Sequence, residues 1–251
     1  MNIKLTERQE KILDVIVREY VDSAQPVSSQ LLERKYDFDI CPATIRIEMQ
    51  ELTDKGLLYQ PHTSAGRIPT DKGYRFFVDD LLEKEPSFFE MGDWFEKEIV
   101  EDIKFIQSLT KNLAHFSGVL ALSYFEKEKI FWKEGWEEIL KEPEFREEKC
   151  IINFTKLLEN FEKNIEDLEL NSGIKIYIGK ENPFKNTRDF SIIASKCYLP
   201  DAEDYNPPTT SSRLPSGKQA PAIISLLGPK RMDYNRNISL INSLAELMGK
   251  M

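Results

Sequence analysis

Histidine and cysteine are the scarcest chemically versatile residues in this chain, with two of the first and three of the second among 251. His62 and His115 stand 53 positions apart, no nucleophile-elbow pattern surrounds any serine, and no pair of metal-ligand residues has a zinc-like rhythm. An enzyme is therefore the weakest function class for this sequence, and no cofactor or metal is expected. Cys41, Cys150 and Cys197 are odd in number and widely separated, which excludes a disulfide framework and predicts reduced thiols. Long apolar runs are missing as well. The best one, Phe116 to Tyr124, is about half of the ~18 residues that a membrane span needs, and Ser117 and Gly118 interrupt it. No membrane association is expected, and the opening residues, which lack the apolar core of a signal peptide, predict a cytoplasmic protein.

What is present is an ordinary globular composition, 41% apolar and 31% charged, on a chain long enough for one large domain or two smaller ones. The net charge of −9 runs against the basic footprint of a nucleic-acid binder. Its distribution is uneven. Residues 1–79 hold 11 Lys and Arg against 13 Asp and Glu, so most of the acidity lies further on. Any DNA affinity must then rest on a few placed cations, with two copies of the domain acting on two half-sites.

Three helices are predicted in the first 56 residues. Thr6 with Gln9 forms a capping box, and Ile12, Leu13, Ile16, Val17, Tyr20 and Val21 follow at helical spacing to about Asp22. Pro26 breaks the chain, Ser28 caps a short second helix, and 37–40 form a turn. A third helix opens on Pro42, a residue suited to the first helical position, and ends at Gly56. Within it Ile45, Met49 and Leu52 define one buried stripe, which turns Ala43, Ile47, Gln50 and Asp54 outward, with Thr44 and Arg46 flanking them. Gln suits an adenine edge, Arg a guanine edge or phosphate, and Ile a thymine methyl. On this helix alone, a DNA-reading surface and a plain solvated face remain equally open.

The residues that follow favour DNA. Leu57–Gln60 is strand-like, 61–67 is small, polar and turn-rich, and Ile68–Thr70 returns as a paired strand, together a β-wing. Arg67 is expected to carry a permanent cation at the wing tip, with His62, Thr63 and Ser64 as neutral donors beside it. Gly66 serves an unusual backbone angle or a close approach. Thr70-Asp71 caps a fourth helix with Tyr74, Phe77, Val78, Leu81 and Leu82 on one stripe, placing Lys72 and Arg75 toward a DNA backbone. The run from Gln60 to Asp79, with Ala43-Thr-Ile-Arg46 and Glu48-Met49 upstream, closely resembles the HrcA heat-inducible transcription repressors. That resemblance implies a repressor of chaperone genes, binding the inverted-repeat CIRCE operator and kept active by a GroEL-type chaperonin. The family pattern usually has Asn at the position of Ile47.

Beyond residue 82, a linker is predicted over Glu83–Gly92. A long amphipathic helix follows on Phe95, Ile99, Ile103, Ile106, Leu109 and Leu113, able to pair with a partner's copy or to cover its own core. Strands near 118–124, 130–133, 174–178, 190–197 and 222–227, helices over 135–168 and a helix over 233–248 argue for a mixed α/β domain. The polar segment 200–221 is predicted to be a loop in place of a hairpin. Three stretches, Glu142–Arg146, Ile178–Pro183 and Leu227–Tyr234, resemble the C-terminal, GAF-like sensor domain of the same family. Family members are longer and carry an inserted dimerisation domain between the first sensor strand and Glu142, a segment missing from this sequence. Lys230 and Arg231 are expected to be solvated charges at a bend. The predicted fold class is thus α+β: a winged helix-turn-helix over 1–82, linker and long helix over 83–116, and a reduced GAF-like regulatory and assembly domain over 117–251. The expected partners are double-stranded DNA and a second copy of the chain. The alternative, from another class, is a chaperonin-interacting scaffold with weak or non-specific DNA binding.

Overall fold

The structure, a computed structural model, describes residues 4–38, 40–84, 89, 102–126, 129–168, 170, 173–184, 187–200 and 219–247. Most of the predicted linker and the Phe95 and Ile99 end of the long helix lie outside the described residues. The chain divides into two compact units, Met1–Glu85 and Pro86–Met251.

The first unit contains α1 (Glu7–Ser23), α2 (Ser29–Lys35), α3 (Pro42–Asp54), β1 (Leu58–Tyr59), β2 (Ile68–Pro69) and α4 (Asp71–Glu83). Its boundaries follow from local chemistry. The Thr6 hydroxyl accepts from the Gln9 backbone N–H at 3.2 Å while the Gln9 side chain accepts from the Thr6 N–H at 3.4 Å, a reciprocal cap. Ser28 and Thr70 cap α2 and α4 one way only, their hydroxyls accepting from the Leu31 and Gly73 N–H groups. Ile12, Ile16, Leu32, Ile45, Leu52, Leu57 and Val78 close the core of this unit. A buried carboxylate, Glu19, ties α1 to α2 by accepting from Lys35 and from the Tyr36 hydroxyl. Burial pushes the Glu19 carboxyl up, but the two donors and the Lys35 charge outweigh it and hold the group below its ordinary value. The stripe predicted on α4 is shorter than expected. Tyr74, Phe77 and Val78 are buried, with Arg18 of α1 over the Phe77 ring, whereas Leu82 at the helix end is exposed.

The second unit is a five-stranded sheet in the order β4-β3-β7-β6-β5, antiparallel at every pairing. Its strands are β3 (Leu120–Phe125), β4 (Ile130–Glu134), β5 (Ile174–Ile178), β6 (Phe190–Pro200) and β7 (Gln219–Pro229). Its helices are α5 (Asp102–Ser117), α6 (Trp136–Ile139), α7 (Glu148–Lys163) and α8 (Tyr234–Leu247). An antiparallel sheet with helices makes the chain α+β. Leu120, Leu122 and Tyr124 of β3 point into a core shared with Phe154, Leu157 and Phe161 of α7 and with Ile192 and Leu227. The alternate residue Ser123 bonds Thr110 of α5 at 2.7 Å on the opposite face, so the sheet lies between two helical layers. The apolar stripe of α5, including Leu109 and Leu113, is used against its own sheet.

Two expectations for this unit need correcting. Segment 200–221 was expected as a loop in place of a hairpin; residues 201–218 lie outside the described residues, but β6 extends to Pro200, β7 starts at Gln219, and the two pair from Phe190↔Pro229 to Pro200↔Gln219. The sequence hides this because Pro221 and Pro229 argue against a central strand. Both prolines fall outside the stretch Ala222–Leu227 where β7 is flanked by β3 as well as β6, so neither interrupts the two-sided ladder. Arg231 is the second correction. Rather than solvated, it is buried and bonds Glu144 at 2.6 and 3.0 Å and also Glu142. The bend at the end of β7 is thus pinned to the Glu142–Arg146 stretch.

Candidate nucleic-acid interface

Helix α3 has one face inside and one outside. Ile45, Met49 and Leu52 are buried at 1, 4 and 0% exposure. Ala43, Arg46, Ile47 and Gln50 are exposed, and Ile47 shows 59% of its surface, unusual for an isoleucine. Thr44 is half-buried in the first turn, its hydroxyl 3.2 Å from the Cys41 sulfur. Cys41 occupies the N-cap, and the Thr44 hydroxyl together with backbone N–H groups holds its thiol below the usual range. Arg46 has no hydrogen bond or ion pair to any described residue, so its fork of donors is available to a ligand.

The other side of α3 is locked to α1. The Gln9 amide donates to Glu48 at 3.0 Å and Glu51 at 2.6 Å, Lys55 donates back to Gln9 at 2.5 Å, and Arg8 pairs with Glu48 at 3.2 Å. Gln9 was legible as a capping residue, but this second role depends on which side of α1 meets α3, and spacing along one helix carries no such signal.

The β1–β2 ribbon projects a short loop. Ala65 N–H donates to the His62 carbonyl at 2.9 Å, and the Gln60 amide closes the turn from beneath by donating to the Thr63 and Ala65 carbonyls at 2.9 and 2.8 Å. Residues 61–64 are exposed; His62 Nδ1 and Ser64 Oγ are 3.1 Å apart, and Thr63 lies between them. Arg67 is not at this tip. It sits at the ribbon's base, where its backbone exchanges two hydrogen bonds with Val27 at 2.9 and 2.8 Å. Its guanidinium turns back onto α3, donating to Thr53 Oγ1 at 3.0 Å and to Gln50 Oε1 at 2.9 Å. Gln50 in turn donates to Asp54 at 2.8 Å. The expectation of a cation at the wing tip fails because residue 67 immediately precedes β2, and strand pairing fixes it at the root of the loop.

On α4, Lys72 is exposed and donates to the Lys55 carbonyl at 2.9 Å, while Arg75 is half-buried and pairs with Asp79 at 3.4 Å. Thr44, Arg46, Ile47 and Gln50 therefore share one helix face, and His62, Thr63 and Ser64 share the loop tip. Arg67 bridges the two elements. Among the described residues there is no metal-binding group of His, Cys, Asp or Glu, and no helix is long and apolar enough to cross a membrane.

Comparison with known proteins identifies the family. The model of the HrcA protein C-terminal domain matches residues 81–238. The chain belongs to the HrcA family. Two HrcA relatives, both named heat-inducible transcription repressors, illustrate the range of similarity. That of Natranaerobius thermophilus is 28% identical over 345 positions, covering 97% of this chain and 96% of the relative. That of Desulfitobacterium hafniense is 47% identical over 119 residues, which span 47% of this chain and only 34% of the relative. Since this HrcA-family chain has 251 residues, the 345-position alignment leaves long stretches of the first relative without a counterpart. A crystal structure described as that of a hypothetical protein shares the fold, with a TM-score of 0.71 at 21% identity over 98% of this chain and 99% of the other.

Proposed function

We propose that this chain is a transcription repressor that binds double-stranded DNA, its first unit acting as a winged helix-turn-helix and its second as a reduced GAF-like regulatory and assembly domain. The observation that carries the reading is the outward face of α3, where Thr44, Ile47 and Arg46, which pairs with no described residue, lie together opposite a fully buried stripe. A helix seated in the major groove needs that division, with a guanidinium to donate to guanine O6 and N7 and a methyl-rich side chain to meet thymine. His62, Thr63 and Ser64 at the loop tip supply neutral donors to sugar and phosphate. Lys72 contributes at most a peripheral phosphate contact, since its ammonium already serves the Lys55 carbonyl.

Membership in the HrcA family supports the finer reading: a homodimer on a CIRCE-type inverted repeat ahead of chaperone genes, with a GroEL-type chaperonin as partner. Two copies also answer the acidic balance, because doubling a weak contact raises avidity without new cations. Gel shift of the purified chain on a CIRCE-type inverted repeat and on scrambled DNA, across a salt series, tests it. Specific binding that weakens steeply with salt is expected. Equal, weak retention of both duplexes overturns the repressor reading in favour of a chaperonin-interacting scaffold, for which exposed Ile47 and the charge of −9 are the favouring observations. Light scattering with and without DNA tests the dimer, which a monomer mass in both conditions refutes.

A further inference from the structure

The buried stripe and the exposed face of α3 do not account for the chain of bonds that runs from the base of the wing to the helix. Arg67 donates through Nε to Thr53 and through Nη2 to Gln50, and Gln50 donates onward to Asp54. Thr53 is itself fixed, its hydroxyl donating to the Met49 carbonyl at 2.8 Å. The Arg67 backbone is meanwhile paired on both sides with Val27 in the connection between α1 and α2. One residue thus joins three elements: the α1–α2 connection, the wing and the C-terminal half of α3.

We infer that Arg67 is a positioning residue, a strut setting the wing against α3, and that Gln50 is part of the strut and not a reader of bases. The inference rests on the DNA-binding reading above. The Gln50 carboxamide is directed one turn along the helix toward Asp54, with its oxygen taken by a guanidinium. To face an adenine edge squarely it has to turn out of the orientation in which these two partners hold it. Arg67 gives two of its five donors to Thr53 and Gln50 and is held at the root of the loop, so its charge is directed at α3 and away from the loop tip. Base discrimination then falls to Thr44, Arg46 and Ile47 in the first half of the helix. Wing and helix contact the duplex at separate places, so the angle between them decides whether both engage at once, and the strut fixes that angle.

Selection from a pool of random-sequence duplexes, followed by titration of the selected duplex in a salt series, tests this on the full chain. Arg67→Met and Gln50→Leu are each expected to lower affinity about tenfold, and the double variant no further than the worse single one, because both break the same chain of bonds. The slope of affinity against salt is expected to stay at the wild-type value in all three, and Gln50→Leu to select the wild-type sequence. Arg46→Ala, by contrast, is expected to lose the base preference at one position of the selected sequence. A slope reduced by about one for Arg67→Met, additive losses in the double variant, or a changed sequence for Gln50→Leu overturns the inference while leaving the repressor reading intact. Failure of the wild-type chain to enrich any sequence overturns both. Gln50→Leu leaves the Arg67–Thr53 and Arg67–Val27 contacts in place, so the test survives a poorly folded Arg67→Met.

Discussion

Gly66→Ala is the most informative single change in the first unit, because it adds one methyl group at a place with no room for it. A Cβ built on Gly66 falls 2.3 Å from the Val27 carbonyl oxygen and 2.4 Å from its carbon, both backbone atoms. Ordinary contact begins near 3.4 Å, so the two segments must part by about 1 Å. Gly66 is not in the left-handed region, so the cost is steric and not conformational. Parting the segments breaks the paired hydrogen bonds between Val27 and Arg67, each worth about 1 kcal/mol net. With the strain of the partly relaxed overlap, the loss comes to about 2–3 kcal/mol. For a unit of this size that is a fall of roughly 10–20 °C in Tm. All three tryptophans, Trp94, Trp132 and Trp136, lie beyond residue 85. Tryptophan fluorescence thus follows the second unit alone, and circular dichroism follows both. Exchange of the Val27 and Arg67 amide hydrogens reads the local event directly. Unaltered protection of those two amides, with a Tm within about 3 °C of wild type, refutes the argument.

Other perturbations test other parts of the molecule. Asn237 of α8 is fully buried with neither amide atom hydrogen-bonded to a described residue, so Asn237→Leu is expected to raise the Tm of the second unit by several degrees in tryptophan-detected melts. Arg231→Met leaves Glu142 and Glu144 without their partner and is expected to destabilise the same unit by about 2–4 kcal/mol in urea titration, with the first unit unaffected. Glu19 is held below the ordinary carboxylate value of 4.5, so its contribution is complete above that pH and lost as pH falls below it. The stability gap between wild type and Glu19→Gln in the first unit is therefore expected to be widest near pH 7 and to shrink in acid. Iodoacetamide is expected to modify Cys41 first, since burial pushes the thiols of Cys150 and Cys197 up to about 11 and about 12; mass mapping over time reads the order, and bound DNA is expected to slow the first reaction.

Much of the first unit was legible because its signals are local. The Thr6–Gln9 cap, Ser28, Pro42 and the 45/49/52 stripe each depend on residues within two helical turns, and the structure places them as their spacing predicts. In the second unit, 174–178 and the start of the last helix also stand where alternation and helical period put them. Arg67 was misplaced because its position at the root of the wing depends on backbone pairing with Val27, 40 positions away, which the residue type does not encode. Arg231 was misjudged for a related reason: its carboxylate partners lie 87 and 89 positions away. The β6–β7 hairpin was missed because proline counts against a strand only where both edges are paired, and pairing on the second edge is a property of β3.

That place of β7 between β3 and β6 also sets an order of events during synthesis. The ribosome has passed residue 83 when every element of the first unit is available, and its one ribbon pairs neighbouring strands, so this unit is able to fold as it emerges. The second cannot follow at the same pace. Leu120 must wait for Leu227 before β3 gains its inner neighbour, and until then β3 and β4 form a two-stranded hairpin of marginal stability. The first unit is thus free to fold while the second still exposes Leu122, Phe125 and the apolar face of α7.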